Sequence, residues 1–521
     1  MSKNLLHESA SSDALRLKAL QSGFESRVEV NQRMLIDKML ARYSSDFVVC
    51  RELIQNSDDA KATSFHFEIT CDNESSSSLS SEKDFHNKTI TEICAINNGL
   101  IFNETDWKRV AAIAEGNTNV ESVGQFGVGF FSVFSFSEEP IITSGNQYMA
   151  FVWRDDNSLT TYRHELPLEQ QSQLTSIILK MRTKYILHTE TNFDFDSIID
   201  INENSNIKSP NKKRQKKSIT TTTTTTNEII PTINLTQLKA YFTKVLSFTK
   251  HINELIIKIN QKTIFKVTKS KKPITSTKSN SQFKKNSIHN MLRLDSLIQT
   301  EQIFSIDHGP SITLNHISVD ATLIIDENYH NHIRRILKKS LPPNVQIQLL
   351  YTPNNIITKQ QQQQRKSSKN DDLHMKILNS LIPLKFQNDE IYPAGLIFIG
   401  LGTHQTTGIG MHVYSHLIPT IERENLDLQD PYISKWNREL LLSVGQIARF
   451  VFDQFMIVNK QYDSTLASYS FQPSVPNNEI GSILVDGFFS SNKDLLVPVK
   501  QTPTDINLSL IPSAQAYIAN S

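Results

Sequence analysis

Residues 51–60, RELIQNSDDA, carry the side-chain types in this chain best suited to chemistry. Read as a helix at about 3.6 residues per turn, they place Glu52, Asn56 and Asp59 on one face. That face holds a carboxylate, an amide oxygen and a second carboxylate, while Leu53, Ile54 and Ala60 remain to pack behind it. A base beside an oxygen ligand for a hard cation is the equipment of metal-assisted phosphoryl chemistry. The competing reading is an amphipathic helix with a solvated polar face, and for the stretch taken alone it is the better one.

Two further stretches change that balance. Residues 95–101, AINNGLI, read as an apolar strand entering an Asn-Asn-Gly turn. Residues 123–131, VGQFGVGFF, open an apolar run with Gly124, Gly127 and Gly129. Glycines at such spacing let backbone N–H groups approach phosphate oxygens. A lone glycine-rich loop is a weak signal. Polar helix, glycine turn and glycine loop in that order within about 80 residues are a specific one.

This order resembles the ATP-binding module of the Bergerat-fold ATPases, shared by gyrase, the heat-shock protein 90 family, histidine kinases and MutL. Within that group the sequence is most similar to the heat-shock protein 90 and sacsin families. The resemblance implies ATP and Mg²⁺ as ligands, with Glu52 as general base, Asn56 as Mg²⁺ ligand and Asp59 one turn on. It implies that Gly124, Gln125, Phe126, Gly127, Val128, Gly129 and Phe130 cover the phosphates as part of a lid, with residues 116–119 as its flexible portion. Thr175, opening the strand-like TSIIL, takes the position of a threonine near the adenine. The family's Asp-x-Gly-x-Gly turn is altered here. Asn97 stands where an Asp accepts a hydrogen bond from the adenine amino group, Gly99 keeps the first glycine, and Ile101 replaces the second. An amide oxygen is a weaker acceptor than a carboxylate, so nucleotide binding is expected without assured tightness.

Residues 395–440 are similar to the segment that follows the ATPase module in sacsin repeats, through Phe398, Leu401, Thr407-Gly408, His412-Val413, Arg423, Leu426 and Trp436-Asn437. The heat-shock protein 90 middle domain donates an arginine toward the γ-phosphate. Arg423 is the candidate for that role, against the plainer reading of a surface pair with Glu422 or Glu424. His404, His412 and His416 lack carboxylate or cysteine partners at metal-site spacing and read as backbone-bonded histidines. The wider pattern is similar to longer fungal sacsin-related proteins, and the end of the chain reads as truncated.

At 521 residues, with 38% apolar and 21% charged residues, the chain has the length and composition of a multi-domain soluble protein. It has no run of 18 apolar residues and no signal-peptide core at the start, which points to an intracellular protein, cytoplasmic or nuclear, with no membrane partner. Cys50, Cys71 and Cys94 have neither metal nor redox spacing and read as buried free thiols. Net charge is +1, yet residues 201–290 hold 18 Lys/Arg against three Asp/Glu. The run KKRQKK at 212–217 leaves a nucleic-acid contact or nuclear localisation open, although a solvated linker is the stronger reading.

The fold expected is α+β. An N-terminal two-layer α/β sandwich with a mixed, mostly antiparallel sheet spans residues 24–200, after a mobile N-terminus at 1–23. A disordered basic and Thr-rich linker at 201–230 leads to a second, middle-type α/β domain over 231–460. Disordered insertions fall near 269–286 and 358–372, and an extension covers 461–521. Periodicity places helices at 30–43 (with Met34, Leu35, Met39 and Leu40 as core), 104–114, 235–248, 329–339 and 440–455. Strands fall at 64–71, 89–97, two within 135–153, 177–187, a hairpin over 252–267 turning at Asn260-Gln261, then 312–314, 320–326 and 345–351.

Two functional readings follow. One is an ATP-binding, slowly hydrolysing, chaperone-like protein acting on client or partner proteins that the sequence does not name. The other is a non-hydrolysing nucleotide switch or scaffold that keeps the module for protein contacts. A histidine kinase would need a dimerising phospho-acceptor helix pair, which the sequence lacks.

Overall fold

A computed structural model describes residues 12–24, 30–41, 47–72, 82–113, 129–189, 230–274, 285–353, 373–387, 390–420, 425–454, 456–457, 471–491, 493–500 and 508–516. The chain starts with helices α1 (Ser12–Ser22), α2 (Gln32–Leu40) and α3 (Val48–Asp59). Strands β1 (Ser64–Cys71) and β2 (Thr89–Asn97), helix α4 (Glu104–Val110) and a 3₁₀ turn at Phe130–Ser135 follow. Next come β3 (Ile141–Gly145), β4 (Gln147–Trp153), β5 (Leu159–Glu165), β6 (Ser172–His188) and β7 (Thr232–Asn234), then α5 (Leu235–Val245). Strands β8 (Glu254–Ile259), β9 (Lys262–Pro273), β10 (Lys285–Asn286), β11 (Leu292–Ile306) and β12 (Ser311–Leu323) lead to α6 (Glu327–Leu337), β13 (Asn344–Tyr351) and α7 (Leu373–Asn379). The remainder is β14 (Leu384–Gln387), β15 (Glu390–Pro393), β16 (Leu396–Ile399), β17 (Leu401–Thr406), β18 (Met411–Tyr414), α8 (Pro431–Gln454), α9 (Asn478–Phe489), β19 (Leu496–Val499) and β20 (Ser509–Pro512).

The protein is α+β, built on one large mixed sheet in the order β17-β16-β18-β13-β12-β11-β9-β8-β1-β2-β6-β3-β4-β5. Most pairs are antiparallel; β1–β8, β6–β7 and β16–β18 are parallel. The β1–β8 pairing joins the sheet before residue 190 to the sheet after residue 230 without a break. Helix α5 and the β8–β9 hairpin therefore share a core with β1 and β2. Phe242 meets Phe65 and Phe67 edge-on, at ring distances of 6.1 and 5.7 Å. The hairpin turns at Asn260 and Gln261, both with positive φ.

Two apolar cores lie on opposite faces of the shared strands, because side chains alternate along a strand. From β12, Ile312 and Leu314 enter the first core, whereas Ile317, Val319 and Ala321 enter the second. From β13, Leu350 serves the first core and Ile347 and Leu349 the second. Helices α8 and α9 cover the second core backbone to backbone. A Cβ on Gly445 would lie 2.7 Å from the Phe488 nitrogen and also run into the Leu484 carbonyl oxygen. In α2 the buried residue is Ile36; Met34 and Leu35 point outward and only Met39 and Leu40 pack as the periodicity suggested. Helix α1 falls within the stretch expected to be mobile and buries no residue. No helix among the described residues is long and apolar enough to cross a membrane.

Candidate functional site

Helix α3 has no glycine or proline to interrupt it, and Val49, Leu53 and Ile54 anchor its buried side. It ends where Lys61 takes a positive φ. Arg51, Glu52 and Gln55 are buried as well, whereas Asn56 is exposed between buried neighbours. Glu52 is only 2% exposed, and its Oε1 accepts a bond from Arg51 Nη2 at 3.3 Å. The buried Arg51 Nε and Gln55 Nε2 have no hydrogen-bond partner among the described residues. Gly129 lies directly over Glu52: a Cβ there would be 2.8 Å from the carboxylate carbon and would collide with Oε2. Its φ is −59°, so glycine is required for the close approach and not for backbone conformation.

The other end of α3 meets the Asn97 turn. A Cβ on Gly99 would lie 2.6 Å from the Ala60 carbonyl oxygen, and the Leu100 N–H donates to that same oxygen at 2.8 Å. Asn98 secures the turn to the start of β1, its Oδ1 accepting from the Thr63 and Ser64 N–H groups, each at 2.9 Å. Asn97 stands opposite Thr175, and Thr175 opposite Ser144, across β2, β6 and β3. Ser144 and Thr175 share a hydroxyl hydrogen bond of 2.7 Å, and the Phe102 N–H donates to Ser144 Oγ at 2.9 Å. Asn97 Oδ1 accepts from the Gly99 N–H at 3.0 Å. From Glu52 to Ala60 the helix rises about 12 Å at ~1.5 Å per residue, with Gly129 at one end and the polar row at the other.

The structure thus places Gly129 against Glu52, leaves Asn56 exposed one helical turn on, and brings Asn97, Gly99 and Thr175 to the end of α3 that carries the half-buried Asp59. Phe130 packs its ring on Phe131 and Phe151, an apolar anchor beside Gly129. Gly124, Gln125, Phe126, Gly127, Val128 and Arg423 lie outside the described residues, as do residues 116–119 and 212–217. The described residues on either side of Arg423 are tied together. Asn437 bonds the Ile418 N–H and carbonyl and the Asp427 carbonyl, Trp436 Nε1 donates to the His416 carbonyl, and Pro419 bridges Leu426.

Sequence reasoning passed over Asp58, Asn98 and Ser144. Asp58 accepts three backbone N–H groups, from Lys250, His251 and Ile252, at 2.8 to 2.9 Å, and so ties the loop before β8 to α3. Two of the three histidines, His412 and His416, behave as backbone-bonded residues. His412 Nδ1 accepts from the Leu396 N–H while Nε2 donates to the Leu381 carbonyl, and burial pushes its pKa down to about 3. His416 accepts from the Gln346 N–H, and burial lowers it to about 4. Cys50 and Cys71 are buried, and Cys94 is half-buried; burial raises all three thiols to about 12. Among the described residues no group of three His, Cys, Asp or Glu side chains is placed to hold a metal ion.

The protein is thus an α+β protein in which one helix carries a buried carboxylate under a glycine, an exposed amide one turn on and a polar row at its far end. Residues 30–302, more than half of the chain, match the family described as the Sacsin domain. Residues 186–508 match the family described as Protein of unknown function (DUF3684). The chain belongs to both families, which overlap in the middle of the sheet. Sacsin of Homo sapiens is 33% identical over 120 residues, 21% of this chain and 2% of sacsin. The chain therefore spans a small fraction of the length of that relative.

Proposed function

We propose that the chain binds a nucleoside triphosphate with Mg²⁺ along α3, ATP being the nucleotide the resemblance implies, and hydrolyses it slowly in a chaperone-like role. The observation that carries this reading is the backbone of Gly129 lying on the Glu52 carboxylate, with Asn56 open beside them. The glycine lets the main chain lie directly against the carboxylate, and main-chain N–H groups close to such a carboxylate are suited to phosphate oxygens. Glu52, shielded from water and held by Arg51, is positioned to take a proton from an attacking water. Asn56 fits a cation that takes one or two protein oxygens and completes its shell with phosphate and water, the usual manner of Mg²⁺. When bound, Mg²⁺ would supply neutralisation of phosphate charge. Arg423 is the proposed contributor from the second half of the chain.

Titration of the full chain with a panel of Mg²⁺-nucleoside triphosphates, followed by single-turnover hydrolysis in wild type and Glu52→Ala, tests the reading. Binding with turnover that depends on Glu52 is expected. Binding without turnover in wild type would favour the nucleotide-switch alternative, and no binding at millimolar concentration would favour a scaffold.

A further inference from the structure

We infer that the row Asn97–Thr175–Ser144 reads a base through a hydrogen-bond donor, so that the site prefers a 6-oxo purine, guanine or hypoxanthine, to adenine. This rests on the nucleotide reading above and adds the identity of the base.

The face of β2, β6 and β3 turned toward the first core presents Ile93, Ala95, Ile177, Leu179 and Ile142, all buried. At the last register position of that face the apolar pattern stops, and three polar side chains stand side by side. Buried polar groups cost free energy unless they find partners. Ser144 and Thr175 satisfy each other. Asn97, 7% exposed, has its oxygen on the Gly99 N–H. An N–H cannot accept, so the atom facing it must be Oδ1, and this fixes the orientation of the amide. Nδ2 lies on the other side of the amide with no hydrogen-bond partner among the described residues.

A carboxylate in this place would spend one oxygen on the Gly99 N–H and offer the second as an acceptor. The amide spends its oxygen in the same way and offers two N–H donors. The geometry is kept and the sign of the exposed group is reversed. A donor complements a carbonyl at purine C6, whereas an exocyclic amino group there sets donor against donor. The hydroxyls of Ser144 and Thr175 both donate and accept, so they adapt to a ring nitrogen with or without its proton. The preference is set by Asn97.

The test is equilibrium binding of the Mg²⁺ complexes of ATP, ITP and GTP to the full chain, in wild type and Asn97→Asp. In wild type ITP and GTP are expected to bind roughly tenfold or more tightly than ATP, the order set by leaving a buried polar group unpaired. In Asn97→Asp the order of ATP and ITP is expected to reverse. ATP binding as tightly as ITP, or more tightly, in wild type would overturn the inference and leave the nucleotide site standing. Binding of none of the three would overturn both. Should Asn97→Asp fail to fold, as judged by its melting transition, the wild-type ratio of ATP to ITP decides alone.

Discussion

Glu439 in α8 and Glu52 in α3 are both glutamates buried within a helix, and their surroundings differ in kind. Glu439 is fully buried and receives the N–H groups of His289 and Met291 at 3.3 to 3.4 Å. Asn437 and Arg449 of the same helix are committed too, although Ser443 Oγ and Gln446 Oε1 there have no partner among the described residues. Asn437 holds the backbone at Ile418 and Asp427, and Arg449 bonds Asp453 and the Lys493 carbonyl. In α3 the pattern is different. Arg51 Nε and Gln55 Nε2 have no partner among the described residues, Asn56 is open, and a bare glycine rests on the carboxylate. The Glu439 carboxylate is spent on the chain's own backbone, whereas the Glu52 carboxylate lies against a bare glycine and beside an arginine that is only partly committed. That difference is what makes Glu52, and not Glu439, the candidate for chemistry.

The contrast is broken or kept most sharply by removing each carboxylate. Glu52→Ala is expected to lower single-turnover hydrolysis by roughly 10²–10⁴-fold, the usual worth of a general base, with nucleotide affinity little changed; it also leaves the buried Arg51 guanidinium without its carboxylate, so the melting temperature falls as well. Glu439→Ala should act on stability alone. It strands two backbone N–H groups at about 1–3 kcal/mol each, which lowers the melting temperature and spares turnover per bound nucleotide. Loss of turnover in Glu439→Ala at unchanged stability would erase the distinction.

The glycines sharpen the same comparison at a smaller scale. In Gly129→Ala the new methyl meets the end of a flexible side chain, so Glu52 is displaced and turnover is expected to fall at least about tenfold. In Gly445→Ala the methyl meets backbone of α9, which cannot swing aside, so overpacking is expected to cost about 1–3 kcal/mol in chemical denaturation. A Gly129→Ala protein that hydrolyses normally would mean that the close approach to Glu52 serves packing alone.

Much of this was legible in the sequence, and the exceptions have physical causes. Ser64–Cys71 and Thr89–Asn97 form strands with the boundaries expected from alternation, and the hairpin turns where Asn260-Gln261 suggested. Strand β11 was missed, and β12 was read as two fragments, 312–314 and 320–326. The reason is that β12 sends Ile312 and Leu314 to one core and Ile317 and Val319 to the other. A strand that changes the face it buries shows no single alternation. At the candidate site, the helix carrying Glu52 and Asn56 was legible because its pattern is local. The work of Asn98 and Asp58 could not, since their partners are 34 and 194 residues away. Nor could the direction of the Asn97 amide, which depends on the Gly99 N–H closing on its oxygen.

Asp58 is the residue of α3 that behaves as Glu439 does, and the loop it holds offers the smallest test. Beside that loop, Lys269 is buried and donates to the Thr249 carbonyl at 2.7 Å and to Thr249 Oγ1 at 2.9 Å. Burial, helped by Lys271 and opposed by Asp58, lowers its pKa to about 7. In the unfolded chain the amine titrates near its ordinary value of about 10.4. Below pH 7 both states carry the proton, so this group adds no pH dependence there, and its burial cost is fully present. Between pH 7 and about 10.4 the unfolded state binds more protons than the folded one, so stability rises with pH, by at most about 1.4 kcal/mol per unit. From pH 7 to 8 this contributes about 1 kcal/mol to the unfolding free energy of wild type. Lys269→Met should lack that contribution and be more stable than wild type near pH 7, where the charged amine is costly to bury. Parallel pH profiles for the two proteins would mean that Lys269 stays charged under the loop, and that the Asp58 side of α3 is more open to water than the Glu439 side of α8.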